Sequence, residues 1–451
     1  MMKIILLFLL VCFSTQQYLF SEVTVSESKK AFTSYNYESV LLPAAPWERC
    51  YPYPRLDVEG SDWESISKKD LKTIILENEY LKITIIPELG GRIYSAIFKS
   101  TGKEIFFNTD VIKPCDLNGI GSDWTCMIGG LKYSFPEGGH SPNDITPWKY
   151  EIIKNDEKSI SVKTFDTDLG SRMKISETVT LKQNTAVFEL FTELENPTEF
   201  KNRYCYWNCA QLNHKSDTRF IFPTNKMIIH TDGWGFLTHS IISWPVYKGQ
   251  DLSYFKNWRE HEQGLFPQDN ENNFVGTYDL ELDQGLVRVY PSETVKGTKV
   301  WCFNRLDPPY EDYFDSDIMY YELFGGVTET QEEYTYLEPK SKLAWTEYWY
   351  PIKNTGGFVY AVKEMALNLA KEQNGDLKVS LAAAVDLQNA TIQVFLDDVS
   401  VFSENVNINP SKSYKKTLQA DKLNKNSRIK VICSDENKKE LLKYETNNDK
   451  I

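Results

Sequence analysis

The feature that most constrains the fold of this chain is a long succession of short segments in which apolar and polar residues alternate. Two of these segments, 71–76 and 80–86, are separated by only a short polar turn. Successive side chains of a β-strand point to opposite faces, so alternation with a period of two predicts strands that are buried on one side. The pattern recurs between turn residues at 149–154, 158–166, 173–181, 186–194, 202–212, 285–290, 299–304, 319–324 and 343–350.

Apolar stripes with the helical period of 3.6 residues are nearly absent, and many strands at short spacing predict a large antiparallel sandwich. A chain of 451 residues is also too long for one small core, so we expect two or three domains. The predicted divisions are a signal peptide at 1–21, a polar leader packed on the body at 22–65, the main β domain at 66–352 and a small β-sandwich at 358–451.

The small C-terminal domain is predicted from a change in composition after the boundary at 351–357, which is punctuated by Pro and Gly. Segments 377–381, 390–396 and 428–432 alternate like strands, whereas Lys, Asn and Asp become more frequent and tryptophan is absent. This composition favours an accessory Ig-like β-sandwich over a catalytic domain.

Aromatic residues make up 14% of the chain and are the main deviation from an ordinary globular composition. Aromatic rings favour strands and can also stack against sugar rings. The aromatic content is therefore compatible with two interpretations, a β-rich core and a carbohydrate-binding cleft. The net charge of −13, without a basic block, argues against nucleic acid, whose binding needs clustered Lys and Arg. A neutral mono- or oligosaccharide is the simplest partner.

The first 21 residues have the features of a secretory signal. Lys3 precedes an apolar run at 4–13 that is too short for a stable membrane-spanning helix. We therefore expect export to the periplasm or the extracellular space. Cys12 lacks the small preceding residue that is usual before a lipidated cysteine, so a lipid anchor is not predicted, and no other stretch is long and apolar enough to span a membrane.

The cysteines and histidines predict no metal site or other cofactor. Removing the signal leaves seven cysteines without a CxxC pair, so although export permits disulfides, the spacing indicates neither a dense disulfide framework nor a zinc site. The five histidines lack the helical i, i+4 pairing of zinc hydrolases. Oxygen atoms of loop Asp and Asn residues could still bind a calcium ion, although no EF-hand spacing occurs.

The first candidate site segment is a glycine pair followed by an arginine. Gly90 and Gly91 come directly after a strand and allow a tight bend or the close approach of a ligand. Arg92 could then donate hydrogen bonds to sugar hydroxyls, or hold a carboxylate in its ionised form. An exposed arginine in a simple hairpin is the alternative.

The second candidate segment is the loop 129–142, whose four glycines and two prolines make it costly to order unless it lines a site. His140 suits proton transfer because the ordinary pKa of histidine is close to neutrality. A hydrogen-bonded structural histidine is the alternative. Trp124, just upstream, could stack against a sugar ring. The other candidate side chains of this loop are Lys132, Tyr133 and Glu137.

The third candidate segment is the aromatic strand 203–214. Alternation places Asn208 on one face beside tyrosines, and Trp207 on the other face with Gln211. An aromatic ring next to an amide resembles a sugar-binding surface. A polar patch inside a sandwich is the competing interpretation.

The fourth candidate segment sets carboxylates among aromatic rings and glycines. It consists of 320–331, which contains Glu322, and 345–351, which contains Trp349. Carboxylates supply general acids, bases or nucleophiles, and aromatic faces supply stacking surfaces. Sugar chemistry uses both, although any protein can bury a strand rich in Tyr and Trp.

These motifs together resemble the galactose mutarotase-like superfamily and, within it, an uncharacterised bacterial family of mutarotase-like domains found in carbohydrate-related settings. The similarity covers about 70–352 and depends on the order of Gly-Gly-Arg, a Gly-Gly-x-x-x-x-Phe-Pro loop, a Tyr-Trp-Asn strand, and Tyr-x-Glu-x-x-x-Gly-x-Thr-x-Thr-Gln before Trp-Thr-Glu-Tyr-Trp-Tyr-Pro. The resemblance implies an all-β fold, a galactose mutarotase-like β-supersandwich with its site on the concave sheet face, followed here by the small β-sandwich.

The resemblance also implies roles for particular residues. Aldose mutarotases open a sugar ring with a histidine acid and a glutamate base. The resemblance places that glutamate at Glu322, and sugar-contacting positions near Arg92 and His140. The strand that should present the catalytic histidine, 206–210, contains none, so ordinary mutarotase chemistry is not expected here.

The leading interpretation is a secreted glycoside hydrolase that acts at the anomeric centre of a neutral sugar. Glu322 would be one carboxylate, and Glu137 or His140 its partner. The alternatives are an aldose 1-epimerase that uses His140 as its acid, a non-catalytic carbohydrate-binding protein, and a lyase, which the acidic net charge disfavours. The predicted substrate contacts are Arg92, Trp124, Lys132, Tyr133, Trp207, Asn208 and Trp349.

Overall fold

The structure is a computed structural model that describes most of the chain. The predicted signal peptide at 1–21 lies outside the described residues. Of the five histidines, His140 and His230 have described side chains. The described ranges are 22–60, 64–213, 217–231, 236–258, 262–269, 272–302, 320–419 and 427–451.

The body of the protein is built from β-strands. Its first strands are β1 (Thr24–Tyr35), β2 (Leu41–Leu42), β3 (Arg55–Leu56), β4 (Ile66–Glu77), β5 (Leu81–Ile86), β6 (Arg92–Phe98), β7 (Lys103–Glu104), β8 (Val111–Ile112), β9 (Pro114–Asp116), β10 (Trp124–Cys126) and β11 (Leu131–Ser134). The next are β12 (Lys149–Asn155), β13 (Ser159–Thr167), β14 (Lys174–Lys182), β15 (Phe188–Asn196), β16 (Asn202–Tyr204), β17 (Trp207–Asn213), β18 (Thr218–Ile221), β19 (Lys226–Thr231) and β20 (Phe236–Ser243). The last are β21 (Val246–Tyr247), β22 (Gln250–Asp251), β23 (Glu262–Gln268), β24 (Phe274–Asp279), β25 (Gln284–Val289), β26 (Gly297–Cys302), β27 (Tyr320–Gly326), β28 (Thr335–Leu337) and β29 (Ser341–Lys353).

Helical structure in the described residues is limited to short 3₁₀ turns. They span Tyr37–Val40, Pro142–Ile145, Phe255–Asn257 and Asn448–Lys450. Because none of them is longer than four residues, the sheets rather than the helices determine where functional side chains lie.

Two large sheets form the body. In the first, the strand order is β20, β19, β23, β26, β27, β17, β11, β6, β5, β4, β1, β8, with β7 paired to β6. In the second, the order is β12, β13, β14, β15, β29, β25, β24, β18. The pairing of β17 with β27 is antiparallel, as predicted for a large sandwich, whereas β1 and β8 pair in parallel.

The main hydrophobic core lies between these two sheets. It includes Leu131 and Leu323 from the first sheet and Leu190 and Trp349 from the second. In each strand, every second side chain points into this core, as the alternation in the sequence predicts. The opposite face of the first sheet is therefore free to carry polar residues.

The N-terminal leader is part of the first sheet rather than only a covering segment. Strand β1 pairs with β4 along its whole length, from Thr24 opposite Glu77 to Tyr35 opposite Ile66. The first half of β1 is mostly exposed and therefore polar. Its sequence lacks the alternation of apolar and polar residues from which strands are predicted. The later part of the leader, including β2 and β3, packs around Tyr37 and Leu56 against the body.

The C-terminal region forms two four-stranded sheets, β30–β31–β32–β35 and β34–β33–β36–β37. A separate core, with Leu367, Val379, Ile392 and Val431 among its members, lies between them. Its strands are β30 (Tyr360–Val362), β31 (Met365–Lys371), β32 (Leu377–Ala383), β33 (Leu387–Leu396), β34 (Val399–Ile408), β35 (Tyr414–Leu418), β36 (Arg428–Ser434) and β37 (Glu440–Asn447).

The predicted all-β class, a large two-sheet supersandwich followed by a small β-sandwich, is confirmed by these sheets. The seven cysteines within the described ranges are all buried, and none of them forms a disulfide. Among the described residues, no helix is both long enough and apolar enough to cross a membrane.

Candidate functional site

Four adjacent strands, β26, β27, β17 and β11, carry polar side chains on the face of the first sheet that points away from the second sheet, called here the site face. Strand alternation produces this division. In β27, Leu323 packs into the core between the sheets, whereas Phe324 packs on the site face with Trp207 and Cys209. Glu322 shares the parity of Phe324 and therefore projects from the site face.

Glu322 is the central carboxylate of the site face and is 4% exposed. Its Oε1 accepts a hydrogen bond of 2.9 Å from Gln211 Nε2, which also donates to the Tyr320 hydroxyl at 2.9 Å. The strand register places Gln211 and Trp301 opposite Glu322 on its two neighbouring strands. Gln211 Oε1 is buried and has no hydrogen-bond partner among the described residues, so it offers an acceptor to a ligand hydroxyl.

Lys299 is a buried cation on the same face, one strand away from Glu322. Its ammonium group donates to Gln331 Oε1 at 2.6 Å and lies 5.1 and 5.0 Å from the ring centroids of Phe266 and Phe324. Burial lowers the pKa of Lys299 to about 8, although the Glu322 carboxylate opposes this shift. At neutral pH such a lysine is still protonated, and it is a stronger acid than an ordinary lysine.

A second charged cluster consists of Lys132, Asp144 and His140. Lys132 Nζ lies 2.7 Å from Asp144 Oδ2 and 2.8 Å from His140 Nδ1. Asp144 Oδ1 also accepts a hydrogen bond of 3.1 Å from the Thr125 hydroxyl. Two charges taken this far out of water need such partners, because an unpaired buried charge is strongly destabilising.

His140 is neutral in this arrangement. Burial, followed by the nearby Lys132 and Arg49 cations, lowers its pKa well below the ordinary value for histidine. An ammonium group only donates, so Lys132 donates to His140 Nδ1 and the ring proton resides on Nε2. His140 can therefore offer an N–H donor to a ligand, but it is not a cationic acid at neutral pH.

Cys209 shows that the two charged groups share one surface. It lies opposite Lys132 in the β11–β17 register. Burial and the Glu322 carboxylate raise the pKa of its thiol, whereas Lys132 and Lys299 lower it. Glu322, Lys299 and the Lys132 cluster are thus brought together on the site face around Cys209.

Arg92 supports the loop that carries Asp144. It is fully buried, and its guanidinium donates to the carbonyl oxygens of Leu89, Gly129 and Asp144 at 2.9, 3.2 and 2.9 Å. The predicted bend precedes it, and a Cβ at Gly90 would lie only 2.1 Å from the Asp144 carbonyl oxygen. Within the described ranges no ion pair joins Arg92 to Glu322. The other predicted role of Arg92, a contact with a sugar, stays a prediction.

The structure does not bring Tyr133, Asn208 or Trp349 to the site face. All three point into the space between the two sheets, Tyr133 and Asn208 from the first sheet and Trp349 from the second. There Tyr133 stacks on Trp148 and Trp349 stacks on Phe188. Asn208 Nδ2 donates to both oxygens of the buried Glu347 at 3.1 Å. Alternation in the sequence separates two faces but does not show which one meets the second sheet.

The remaining predicted residues lie around the site. Trp207 is on the site face but is fully buried against Phe266 and Phe324. Trp124 is partly exposed, packs on Tyr37 and donates to a backbone carbonyl of the leader. Glu137 is partly exposed in the loop before His140, where it accepts a hydrogen bond from Tyr334 and lies 3.8 Å from Arg203. These contacts place Glu137 at the edge of the site, and its catalytic role stays a prediction.

Three residues of the site were not predicted as site residues, namely Lys299, Asp144 and Gln211. Gln211 carried a usable signal, because its parity in the strand is that of Trp207 rather than Asn208. Lys299 also shares a predicted strand with apolar neighbours, where a lone lysine is unusual. Asp144 gave no signal, since its pairing with Lys132 depends on how a loop folds back over the sheet.

The fold and these buried charged residues define an all-β supersandwich protein with a polar site on one face of its larger sheet. The chain belongs to the family described as Domain of unknown function (DUF5107), which matches residues 47–352. This match agrees with the predicted resemblance to an uncharacterised family. A second family, described as YphG-like protein, second domain, matches residues 360–444 in the C-terminal sandwich.

Solved structures with similar folds include a TPR-domain containing protein from Parabacteroides distasonis. It is 24% identical, has a TM-score of 0.66, and the alignment covers 79% of this chain and 60% of that protein. The chain thus spans 60% of the length of that protein. A galactose mutarotase-like protein from Clostridium acetobutylicum is 12% identical over 63% of this chain and 96% of its own, with a TM-score of 0.47.

Proposed function

We propose that the protein is a carbohydrate-active enzyme that transfers protons at the anomeric centre of a neutral sugar. The observation that carries the proposal is the placement of Glu322 and Lys299 on adjacent strands of one buried face. A carboxylate can take a proton and an ammonium group with a pKa of about 8 can give one. The free acceptor of Gln211 and the N–H donor of His140 suit the hydroxyl groups of a sugar.

Ring opening of an aldose is the reaction that these groups support best. Glu322 would remove the proton of the anomeric hydroxyl while Lys299 protonates the ring oxygen, and the bond between the anomeric carbon and the ring oxygen would break. Rotation of the resulting aldehyde and reversal of both transfers would give the other anomer. One base and one acid suffice, and Lys299 would take the place of the acid that the 206–210 strand lacks.

Hydrolysis of a glycosidic bond is the second candidate. Lys299 would protonate the leaving oxygen and Glu322 would activate water or attack the anomeric carbon. The observation that favours it is Glu137, a partly exposed second carboxylate three residues before His140 in the same loop. The contacts of Glu137 with Tyr334 and Arg203 place it at the edge of the site. It could take part in proton transfer only with a substrate that extends beyond Glu322.

Proton NMR of anomeric signals separates these reactions. Purified protein would be incubated with freshly dissolved aldoses and with neutral oligosaccharides. Faster α/β equilibration without cleavage would identify an epimerase, and new reducing ends would identify a hydrolase and its stereochemical course. Binding without either change would identify a carbohydrate-binding protein and contradict the proposed catalysis.

The pKa of Lys299 predicts the pH dependence of the reaction. Because Lys299 must be protonated to act as the acid, its active form is lost as the pH rises through about 8. We expect kcat/KM to fall on the alkaline side with a midpoint near that pH. Lys299→Arg should lose most of the activity at every pH, because guanidinium keeps the positive charge but does not give up its proton. Lys226→Arg, at an exposed ion pair with Asp269, should leave the profile unchanged. Wild-type kcat/KM in Lys299→Arg would exclude Lys299 as the acid.

Export by the N-terminal segment belongs to the same proposal. A secreted sugar enzyme would meet its substrates outside the cytoplasm, which is consistent with the predicted signal at 1–21. N-terminal sequencing of the mature protein would test it, since cleavage near residue 21 is expected.

A further inference from the structure

The leader segment 44–56, called here the rim segment, is tied closely to the body. Tyr53 donates to Asp168 at 3.1 Å, and Trp124 Nε1 donates to the Pro54 carbonyl at 3.0 Å. The Leu56 amide donates to the Gly121 carbonyl at 2.9 Å. A segment held by so many contacts is ordered before any ligand arrives, so the entropy cost of fixing it is already met in the folded state.

This ordered segment nevertheless exposes two large aromatic side chains. Trp47 is 86% exposed and Tyr51 is 51% exposed. Large aromatic side chains normally bury most of their surface, and exposed ones are enriched where a partner binds. The third aromatic residue of the segment, Tyr53, is buried, as is Cys50. Trp47 and Tyr51 are therefore the two exposed aromatic side chains of a segment whose third aromatic ring is packed.

The charged residues of the rim segment are already paired. Glu48 lies 3.0 Å from Arg55, and Arg49 is paired with Asp123. The surface around Trp47 thus offers aromatic rings without an uncompensated charge. Such a surface suits a neutral, partly apolar ring face rather than an anionic ligand.

Arg49 connects the rim segment to the candidate site. Besides its pairing with Asp123, it donates to the Gly138 carbonyl at 3.3 Å. Gly138 belongs to the loop that carries His140, whose amide donates to the same carbonyl at 3.1 Å. The two exposed rings therefore stand on a segment that is hydrogen-bonded to the site loop itself.

We propose that Trp47 and Tyr51 form a stacking subsite for a further sugar ring, so that the enzyme acts on neutral oligosaccharides rather than on monosaccharides alone. This inference deepens the proposed function and depends on it. The terminal sugar lies at Glu322 and Lys299, and a more distant ring of the same chain stacks on the rim segment. Substrate length, not charge, is then recognised at this surface.

Ligand binding by neutral oligosaccharides of one to six rings tests the subsite. Affinities of the wild type, Trp47→Ala and Tyr51→Ala would be measured by calorimetry with gluco-, galacto-, manno- and xylo-series. For the series that binds, we expect Trp47→Ala to weaken binding of the longer members about tenfold and to leave the monosaccharide unchanged. Iodide quenching of tryptophan fluorescence should fall on addition of the long ligand in the wild type and not in Trp47→Ala.

Phe200→Ala is the matched control, because Phe200 is an aromatic residue that is 76% exposed in a turn outside the rim segment. It should bind every chain length like the wild type. Equal affinity of Trp47→Ala and wild type for long chains would overturn the subsite, and so would a wild type that binds monosaccharides as tightly as hexasaccharides. Both results leave the anomeric chemistry intact, whereas failure of the wild type to bind or convert any sugar of the panel would overturn the proposed function and the subsite together.

Discussion

Replacing Glu322 by glutamine should reduce kcat/KM for the anomeric reaction by about 10²- to 10⁴-fold, the usual contribution of one general base or acid. Glutamine has the shape of glutamate and can still accept a hydrogen bond from Gln211, so the site should keep its packing. It cannot accept a proton at neutral pH. The loss should therefore appear in kcat, with little change in the melting temperature.

Glu329→Gln is the matched control for this variant. Glu329 follows the same strand and is exposed, so its substitution removes the same charge without touching the site face. We expect Glu329→Gln to retain wild-type kcat/KM within about twofold, because substitutions of exposed residues outside the core and the site have small effects. If Glu322→Gln were as active as Glu329→Gln, Glu322 would not be the base.

A double variant shows whether Glu322 and Lys299 act in one step. Lys299→Met removes the cation but keeps an unbranched apolar side chain against Phe266 and Phe324. If both proton transfers belong to one transition state, Glu322→Gln combined with Lys299→Met should cost little more than the worse single variant. Losses that multiply in the double variant would indicate independent roles.

The second large effect is expected beneath the site, at the buried ion pair of Arg288 and Glu347. Both side chains are fully buried between the sheets, with Arg288 Nε 2.8 Å from Glu347 Oε2 and Nη2 2.9 Å from Oε1. Glu347 also accepts hydrogen bonds from Asn208, Trp345 and Trp349. Removing one member of such a pair leaves a buried charge and typically costs about 3–5 kcal/mol.

The two single variants should differ, because the partners are unequally supported. Glu347→Leu leaves the Arg288 guanidinium with the Phe324 carbonyl at 2.9 Å as its remaining described hydrogen-bond acceptor. Arg288→Met leaves Glu347 with the three donors just named. We therefore expect Glu347→Leu to lower the free energy of unfolding by about 3–5 kcal/mol and Arg288→Met by less.

Urea unfolding measured by tryptophan fluorescence would check this order. Lys342→Met is the control, since Lys342 pairs with Glu193 at 3.0 Å on an exposed surface where an ion pair contributes about 0–1 kcal/mol. The double variant Arg288→Met with Glu347→Leu should recover part of the loss, because no buried charge remains. A loss below about 1 kcal/mol in Glu347→Leu would mean that the pair is not buried as described.

This ion pair also explains a glycine in strand β27. A Cβ at Gly325 would lie 1.6 Å from Arg288 Nη2, so the strand can approach the guanidinium only with glycine at this position. Arg288 and Gly325 together fix the backbone of β27 three residues after Glu322. The glycines that the sequence showed beside Glu322 thus serve strand packing rather than the approach of a ligand.

Much of the fold could be predicted from the sequence because strand alternation is a local property. The period of two in 202–212 correctly placed Gln211 on the face opposite to that of Asn208. It could not assign the inward side, so Asn208 and Trp349 were interpreted as substrate contacts although they support Glu347. Tryptophan serves both a core and a sugar site, and only its position distinguishes the two.

The parts that escaped prediction depend on contacts between distant segments. Lys299 stands out in the sequence as a lone lysine among apolar residues, but its position beside Glu322 comes from the register of β26 against β27, which the sequence does not specify. Asp144 meets Lys132 only after the 136–145 loop folds back on the sheet. Strand β1 was hidden because a mostly exposed strand has few apolar residues to mark it.

The most direct test of the central claim is the time course of anomeric proton signals with wild type and Glu322→Gln, recorded at equal concentration on the same sugar panel. We predict that the wild type accelerates interconversion or cleavage of at least one neutral sugar and that Glu322→Gln lacks this activity while remaining folded. Identical time courses for wild type, Glu322→Gln and a protein-free sample across the panel would contradict the assignment of the site face as a catalytic centre for sugars.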